Sequence, residues 1–128
     1  MQKTTGFSRL SSVRTSDEFH IVFKTGRFVS NGEMVLYTRK NGYPHSRLGV
    51  SVSGKSGNSI KRHRFIRLMR EIFRLHQHEL RSGTDYVIVV RKHFRFNDVT
   101  LLNYRNMEKQ ILSLLSRAGV FHPKQKPT

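Results

Sequence analysis

Arg62, Arg64, Arg67, Arg70 and Arg74 recur at spacings of two to four residues within one short stretch. An arginine guanidinium is a planar fork of donors that stays charged and fits phosphate oxygens in pairs. Between Lys55 and Arg81 stand eight Lys or Arg residues and two Glu, a local net charge of +6. At about 100° per residue, Phe65, Leu68, Met69, Ile72, Phe73 and Leu75 share one broad helical arc. Arg64, Arg67, Arg70, Arg74 and Arg81 fall on the opposing arc. An ordinary solvated face mixes signs at i, i+4 spacing, yet here Glu71 stands by itself among the arginines. This segregation points to a polyanion, because each neutralised phosphate releases counterions and so drives binding.

Other chemistry finds less support. Gly49-Val50-Ser51-Val52-Ser53-Gly54-Lys55-Ser56 matches the G-x-x-x-x-G-K-[ST] phosphate-loop pattern letter for letter. The pattern needs a loop after a strand, whereas Val50 and Val52 alternate with serines, so the supposed loop is itself strand-like. The second apolar strand, Tyr86 to Val90, leads into Arg91 rather than a magnesium-binding Asp. The acids are Asp17, Glu18, Glu33, Glu71, Glu79, Asp85, Asp98 and Glu108. Asp17, Glu18 and Asp98 are accounted for by helix starts and Glu71 by its arginine neighbours. No carboxylate constellation for a metal-dependent nuclease is left, so no catalytic or metal-binding residue is assigned. His76 and His78 lie two apart, diverge on a helix and read as exposed polar residues. His63 and His93 sit in basic stretches and gain charge where RNA lowers the local potential. Phe19, Phe23 and Tyr37 are either core residues or platforms for unpaired bases; spacing alone favours core.

These residues need elements to hold them. Ser16-Asp17-Glu18 starts a helix that runs to about Lys24, with Phe19, Val22 and Phe23 on one face. Glu33 to Lys40 and Arg47 to Ser53 read as strands, with turn chemistry at Asn41-Gly42. The basic helix opens at Gly57-Asn58 and runs to about Arg81, before Ser82-Gly83. Tyr86 to Val90 is a buried strand. Asn97-Asp98 caps a last helix that turns Leu101, Tyr104, Ile111, Leu112 and Leu115 inward. Residues 1–12 read as a mobile arm and 119–128 as a frayed basic tail. The whole is expected to be one α+β domain of residues 1–128.

Length and composition agree. The 128 residues suit one domain, and 24 Lys and Arg against 8 Asp and Glu give a net charge of +16. Thirteen aromatics (nine Phe, four Tyr) can still build a core. The absence of Cys excludes a disulfide scaffold, a thiol nucleophile and a zinc finger. No apolar run approaches the roughly 18 residues of a membrane span, and residues 1–9 have no apolar signal region. A cytoplasmic protein with a nucleic-acid partner and no membrane contact is expected.

The stretch from Gly57-Asn58 through Lys61-Arg62-His63-Arg64, Arg67, Arg70-Glu71 and Phe73-Arg74 resembles the signature of the bacterial ribonuclease P protein subunit. The resemblance extends to Phe19 and Phe23, Val35-Leu36-Tyr37, Leu48 to Ser53 and Asp85 to Val89, covering about residues 9 to 117. His63 stands where the family's Arg-Asn-Arg box has Asn, Ile66 where Lys is common, and Gly54 where a Lys often precedes Lys55. The resemblance implies a two-layer α/β sandwich, a mainly antiparallel four-stranded sheet and a left-handed crossover through the long basic helix. It implies a function as accessory subunit of an endoribonuclease that removes the 5′ leader of precursor tRNA. The catalyst would be an RNA subunit with bound magnesium, and no protein partner would be required. Lys55, Asn58, Lys61, Arg62, Arg64, Arg67 and Arg70 would then dock on the catalytic RNA. Phe19, Phe23, Tyr37, Arg91 and Lys92 would line a cleft for the leader. The main rivals are a structural RNA-binding protein, which would stimulate no cleavage, and an unaided protein nuclease.

Overall fold

Thr84–Val90 is a run of β-branched and aromatic residues with almost no polar alternation, and such a strand must be covered on both faces. It lies in the middle of a five-stranded sheet. The computed structural model describes residues 11–96 and 103–121. In chain order the elements are β1 (Ser11–Ser12), α1 (Ser16–Thr25), β2 (Arg27–Ser30), β3 (Met34–Lys40) and β4 (Arg47–Ser51). They are followed by α2 (Ser59–His76), a 3₁₀ turn (Gln77–Glu79), β5 (Thr84–Val90) and α3 (Tyr104–Ala118). The spatial order is β1-β4-β5-β3-β2. β1/β4 and β4/β5 are parallel, whereas β3/β5 and β2/β3 are antiparallel.

This corrects the expected four-stranded, mainly antiparallel sheet: it is mixed and has five strands. Adjacent β4 and β5 run the same way because the chain between them crosses back through α2, as parallel neighbours require. The fifth strand comes from the segment read as a mobile arm. Ser11 and Ser12 pair with Arg47 and Leu48, and the Val13 N–H donates to the Leu48 carbonyl at 3.0 Å. The supposed tail is likewise anchored at its start. Val120 and Phe121 are buried, and Phe121 bridges to Leu80.

Helices cover both faces, so the layers number three rather than two. Tyr86, Ile88 and Val90 turn with Met34, Leu36 and Leu48 toward α2 and α3, where Phe65, Met69, Ile72, Phe73, Ile111 and Leu115 meet them. Val87 and Val89 turn the other way, toward Val13, Phe19, Val22 and Tyr37. Burying each large apolar side chain contributes about 1.5–3 kcal/mol, so α2 is held by the Phe65, Met69, Ile72 and Phe73 stripe. Leu75, assigned to that stripe, is 50% exposed. It sits near the end of the helix, where α2 gives way to the 3₁₀ turn and the apolar arc no longer faces the sheet. The helix also ends at His76 rather than near Arg81.

Thr15, not Ser16, caps α1. Its Oγ1 accepts the Glu18 N–H at 3.1 Å while Glu18 Oε1 accepts the Thr15 N–H at 3.1 Å, a reciprocal capping box. Asn58 caps α2 by accepting the Lys61 N–H at 2.9 Å. Asn103 caps α3; the predicted Asn97-Asp98 cap and Leu101 lie outside the described residues.

Candidate nucleic-acid interface

α1 crosses the sheet rather than following it, and a chain of charged contacts sets that placement. At its first turn Glu18 Oε2 accepts from Arg47 Nη1 at 3.0 Å. Arg47 then grips the fully buried Asp85 with two donors, Nε at 2.8 Å and Nη2 at 2.7 Å. Asn41 donates to the same carboxylate at 2.9 Å, and Arg39 Nη1 lies 3.6 Å away. At the other end of α1, Arg39 Nε donates to Thr25 Oγ1 at 3.1 Å. The backbone N–H groups of Arg14 and Thr15, together with Arg47, hold the Glu18 carboxyl below its ordinary range. The hydrogen bonds to Asp85 raise the Arg47 guanidinium further, against its burial.

Gly49 makes close docking possible. A Cβ there would lie 2.9 Å from Val13 Cβ and 3.0 Å from the Phe19 ring. Phe19 is thus half-buried, packed against Val13, Val22 and Val87. Phe23 follows one turn later and is 39% exposed. Its ring centroid is 6.0 Å from Phe19 and 4.9 Å from Tyr37, and Tyr37 lies 5.7 Å from Phe28. The row runs Phe19, Phe23, Tyr37, Phe28, with Phe19 and Tyr37 half-buried and Phe23 and Phe28 exposed. Phe28 is 65% exposed and was missed in the sequence because β2 was not read as a strand. Its cross-strand register with Tyr37 becomes visible once Asn31-Gly32 is taken as a hairpin turn. Beside the row, between α1 and the end of β4, lies an open cleft of about 540 Å³. Arg14, His20, Phe19, Phe23, Ser51 and Val52 are among its walls; Arg14, His20 and Ser51 had not been singled out.

Arg91 and Lys92 are exposed just past β5. Tyr37 pairs with Val87, and four residues of strand at about 3.3 Å each place Arg91 about 13 Å further along. Arg91 shares the face of Val87 and Val89, and its guanidinium donates to Ser30 Oγ at 3.2 Å. The two cations are thus not in the aromatic cluster; Arg91 stands at the far end of the same sheet face.

The seven α2-region residues do not form one row. Arg64 and Arg67 are exposed, and Lys55 is exposed in the loop ahead of the helix. Arg70 shares their arc but is half-buried, with Nη1 donating to Ser12 Oγ of β1 at 3.1 Å. Lys61 and Arg62 are half-buried and flank the apolar stripe at the first turn; a Cβ on Gly57 would sit 3.2 Å from Lys61 Cβ. From Asn58 to Arg70 the helix rises about 18 Å. Residues 49–51 of the phosphate-loop pattern are strand β4, so the pattern does not fold into a phosphate cradle.

The donor set does not fit a magnesium centre. Among the described residues no group of three His, Asp or Glu side chains is placed to hold a metal ion. Glu18 and Asp85 are engaged by Arg47, Glu71 by Arg74 at 2.6 Å, and Glu79 and Glu108 by His76. What the surface offers is cations for phosphates and an aromatic row for bases.

The chain matches the family model for ribonuclease P over residues 7–119. It is 35% identical to a ribonuclease P protein component of Clostridium botulinum over 113 residues, covering 88% of this chain and 97% of that protein. It is 38% identical to one from Exiguobacterium over 109 residues, covering 85% and 90%. The RNase P protein of Staphylococcus aureus superposes with a TM-score of 0.74 at 27% identity, covering 89% of this chain and all of that one. That of Thermotoga maritima superposes with a TM-score of 0.70 at 31% identity, covering 84% and 96%. Among the described residues no helix is long and apolar enough to cross a membrane. With sequence, fold and family model coinciding over nearly the whole chain, it belongs to the ribonuclease P protein family.

Proposed function

We propose that this chain is the cytoplasmic protein subunit of ribonuclease P, binding the catalytic RNA and the 5′ leader of precursor tRNA. The observation that carries this reading is the coexistence of two different nucleic-acid surfaces on one small domain. The outward side of α2, with Arg64, Arg67 and the adjoining Lys55, offers isolated cations suited to phosphates of a folded RNA. The Phe23–Tyr37–Phe28 row offers ring faces, which suit unpaired bases of a single strand, and Arg91 and Lys92 continue that surface with charge. A protein that only stabilises one folded RNA has no use for the second surface.

The protein then assists without performing the chemistry. Among the described residues Glu18, Asp85, Glu71, Glu79 and Glu108 are engaged by arginine or histidine and no group of acids is placed to hold a metal ion, so hydrolysis is assigned to the RNA and magnesium mainly to sites on that RNA. Two polyanions must approach each other, and a +16 protein between them lowers the repulsion. Gripping the leader favours substrate over mature tRNA, which lacks it, so the gain is differential and product can leave.

The test separates the two surfaces. Arg64→Ala should weaken binding of ribonuclease P RNA and flatten its salt dependence by about 0.7–0.9 logarithmic units, one phosphate's share. Phe23→Ala should leave that binding unchanged. It should weaken holoenzyme binding of leader-bearing tRNA by about 1–3 kcal/mol, the worth of one base on one ring. Equal loss for mature and leader-bearing tRNA would refute the assignment of the aromatic row.

A further inference from the structure

A second basic cleft opens at the other end of the sheet. It measures about 690 Å³ and lies between the last turn of α1 and the end of α3. Arg27, Arg39, Lys40 and Arg81 line it together with three threonines, Gly119 and Val120, and no Asp or Glu is among its walls. Lys40 pairs with Thr84 at the first residue of β5, whereas Arg91 follows the last. Seven residues of strand at about 3.3 Å each separate the two ends by roughly 20 Å. α2 starts beside the Arg91 end, so the cleft stands well apart from Lys55 and Asn58.

Two of its cations have little else to do. Arg39 is partly engaged by Asp85 and Thr25, and Arg81 Nε donates to the Gly119 carbonyl at 3.4 Å. Arg27 and Lys40 are exposed, and among the described residues neither has an ion-pair or hydrogen-bond partner for its side chain. Four like charges around one concavity repel each other in the free protein, and concave walls focus the resulting field. An anion with several oxygens relieves that repulsion.

We propose that this cleft is a second RNA-backbone site, taking phosphodiester oxygens from a segment other than the one on α2. The inference rests on the RNA-binding reading above. It adds that the protein holds RNA at a second site roughly 20 Å from Lys55 and Asn58 at the start of α2, rather than along that helix alone.

Lysine acetylation of the full-length protein, read by mass spectrometry with and without a ribonuclease P RNA transcript, tests it residue by residue. Lys55 reports on α2, Lys40 on the cleft, and Lys109, exposed on α3, on unspecific shielding. The expected result is several-fold protection of Lys40 together with Lys55, with Lys109 unchanged. Protection of Lys55 but not Lys40 overturns the cleft and leaves the α2 reading intact. Protection of Lys40 without Lys55 supports the cleft and removes the α2 reading. Inorganic phosphate at matched phosphate concentration should not reproduce the Lys40 protection; full protection by phosphate alone would make this a small-anion site and overturn the proposal.

A charge-matched pair completes the test. Arg27→Gln with Lys40→Gln should flatten the salt dependence of RNA binding by about 1.4–1.8 logarithmic units, two phosphates' share. Arg105→Gln with Lys109→Gln, which lowers net charge equally, should flatten it less. Equal flattening in both pairs overturns the proposal. Because all four side chains are exposed, melting curves should stay close to that of the unchanged protein.

Discussion

Replacing Asp85 by Asn removes the one charge on which the seat of α1 depends. The carboxylate is fully buried and takes two hydrogen bonds from Arg47, one from Asn41 and a longer contact from Arg39. An amide of the same shape can accept from one Arg47 donor but turns its own N–H group toward another. Breaking a buried ion pair by removing one partner costs about 3–5 kcal/mol. Arg47 keeps Glu18 at 3.0 Å, and its side chain remains 12% exposed, so the lower end applies, about 3 kcal/mol. For a chain of this size that corresponds to a melting point lowered by about 10 °C. Thermal and urea denaturation measure it. A second substitution, Arg47→Met, should not add to the loss, because the cost of Asp85→Asn is mainly that of stranding the arginine. A melting point within a degree or two of the unchanged protein, or strictly additive losses in the double variant, would refute the ion-pair chain as the anchor of α1.

Gly49→Ala drives a Cβ to within 2.9 Å of Val13 and 3.0 Å of Phe19; overpacking should cost about 1–3 kcal/mol in urea denaturation, and unchanged stability would contradict the close docking of α1. Phe28→Ala removes a ring that is 65% exposed, so the melting point should hold while binding of leader-bearing tRNA by the holoenzyme weakens; a large stability loss with no binding change would reverse that assignment. His76 lies 2.6 Å from Glu108 and 3.2 Å from Glu79. Burial opposes its charge, but the hydrogen bonds to the two carboxylates outweigh that and raise its pKa. Its contribution is therefore complete below the ordinary value of about 6.5 and is lost as pH rises through the higher folded value. Stability should fall between slightly acid and mildly alkaline pH, and His76→Gln should abolish that part of the slope; parallel pH profiles would refute the clasp.

How much was legible in the sequence follows from which interactions are local. The α2 stripe and the cations opposite it could be read because helical periodicity is set by neighbours three and four residues away. Tyr86 to Val90 declared itself by its unbroken apolar run. β1 and β2 did not: two and four residues are too short for alternation, and β1 exists because the distant β4 offers it a ladder, whereas β2 is the first arm of a hairpin with β3. The parallel pairing of β4 with β5 is equally non-local. Phe19 and Phe23 share a helix face and look alike in sequence. The first is packed half-buried against the sheet and the second is exposed, because Gly49 lets the sheet approach Phe19. Val120 and Phe121 resembled a frayed end until Leu80 and α3 were in place around them.

Cleavage of a leader-bearing precursor tRNA at low magnesium, with bacterial ribonuclease P RNA alone, this protein alone and the two together, bears most directly on the central claim. Strong stimulation is expected in the mixture, with no cleavage by the protein alone. Cleavage by the protein alone would place the chemistry on a chain whose described residues offer no carboxylate group placed to hold a metal ion. No stimulation by folded protein would leave an RNA-binding domain without the assisting role proposed for it.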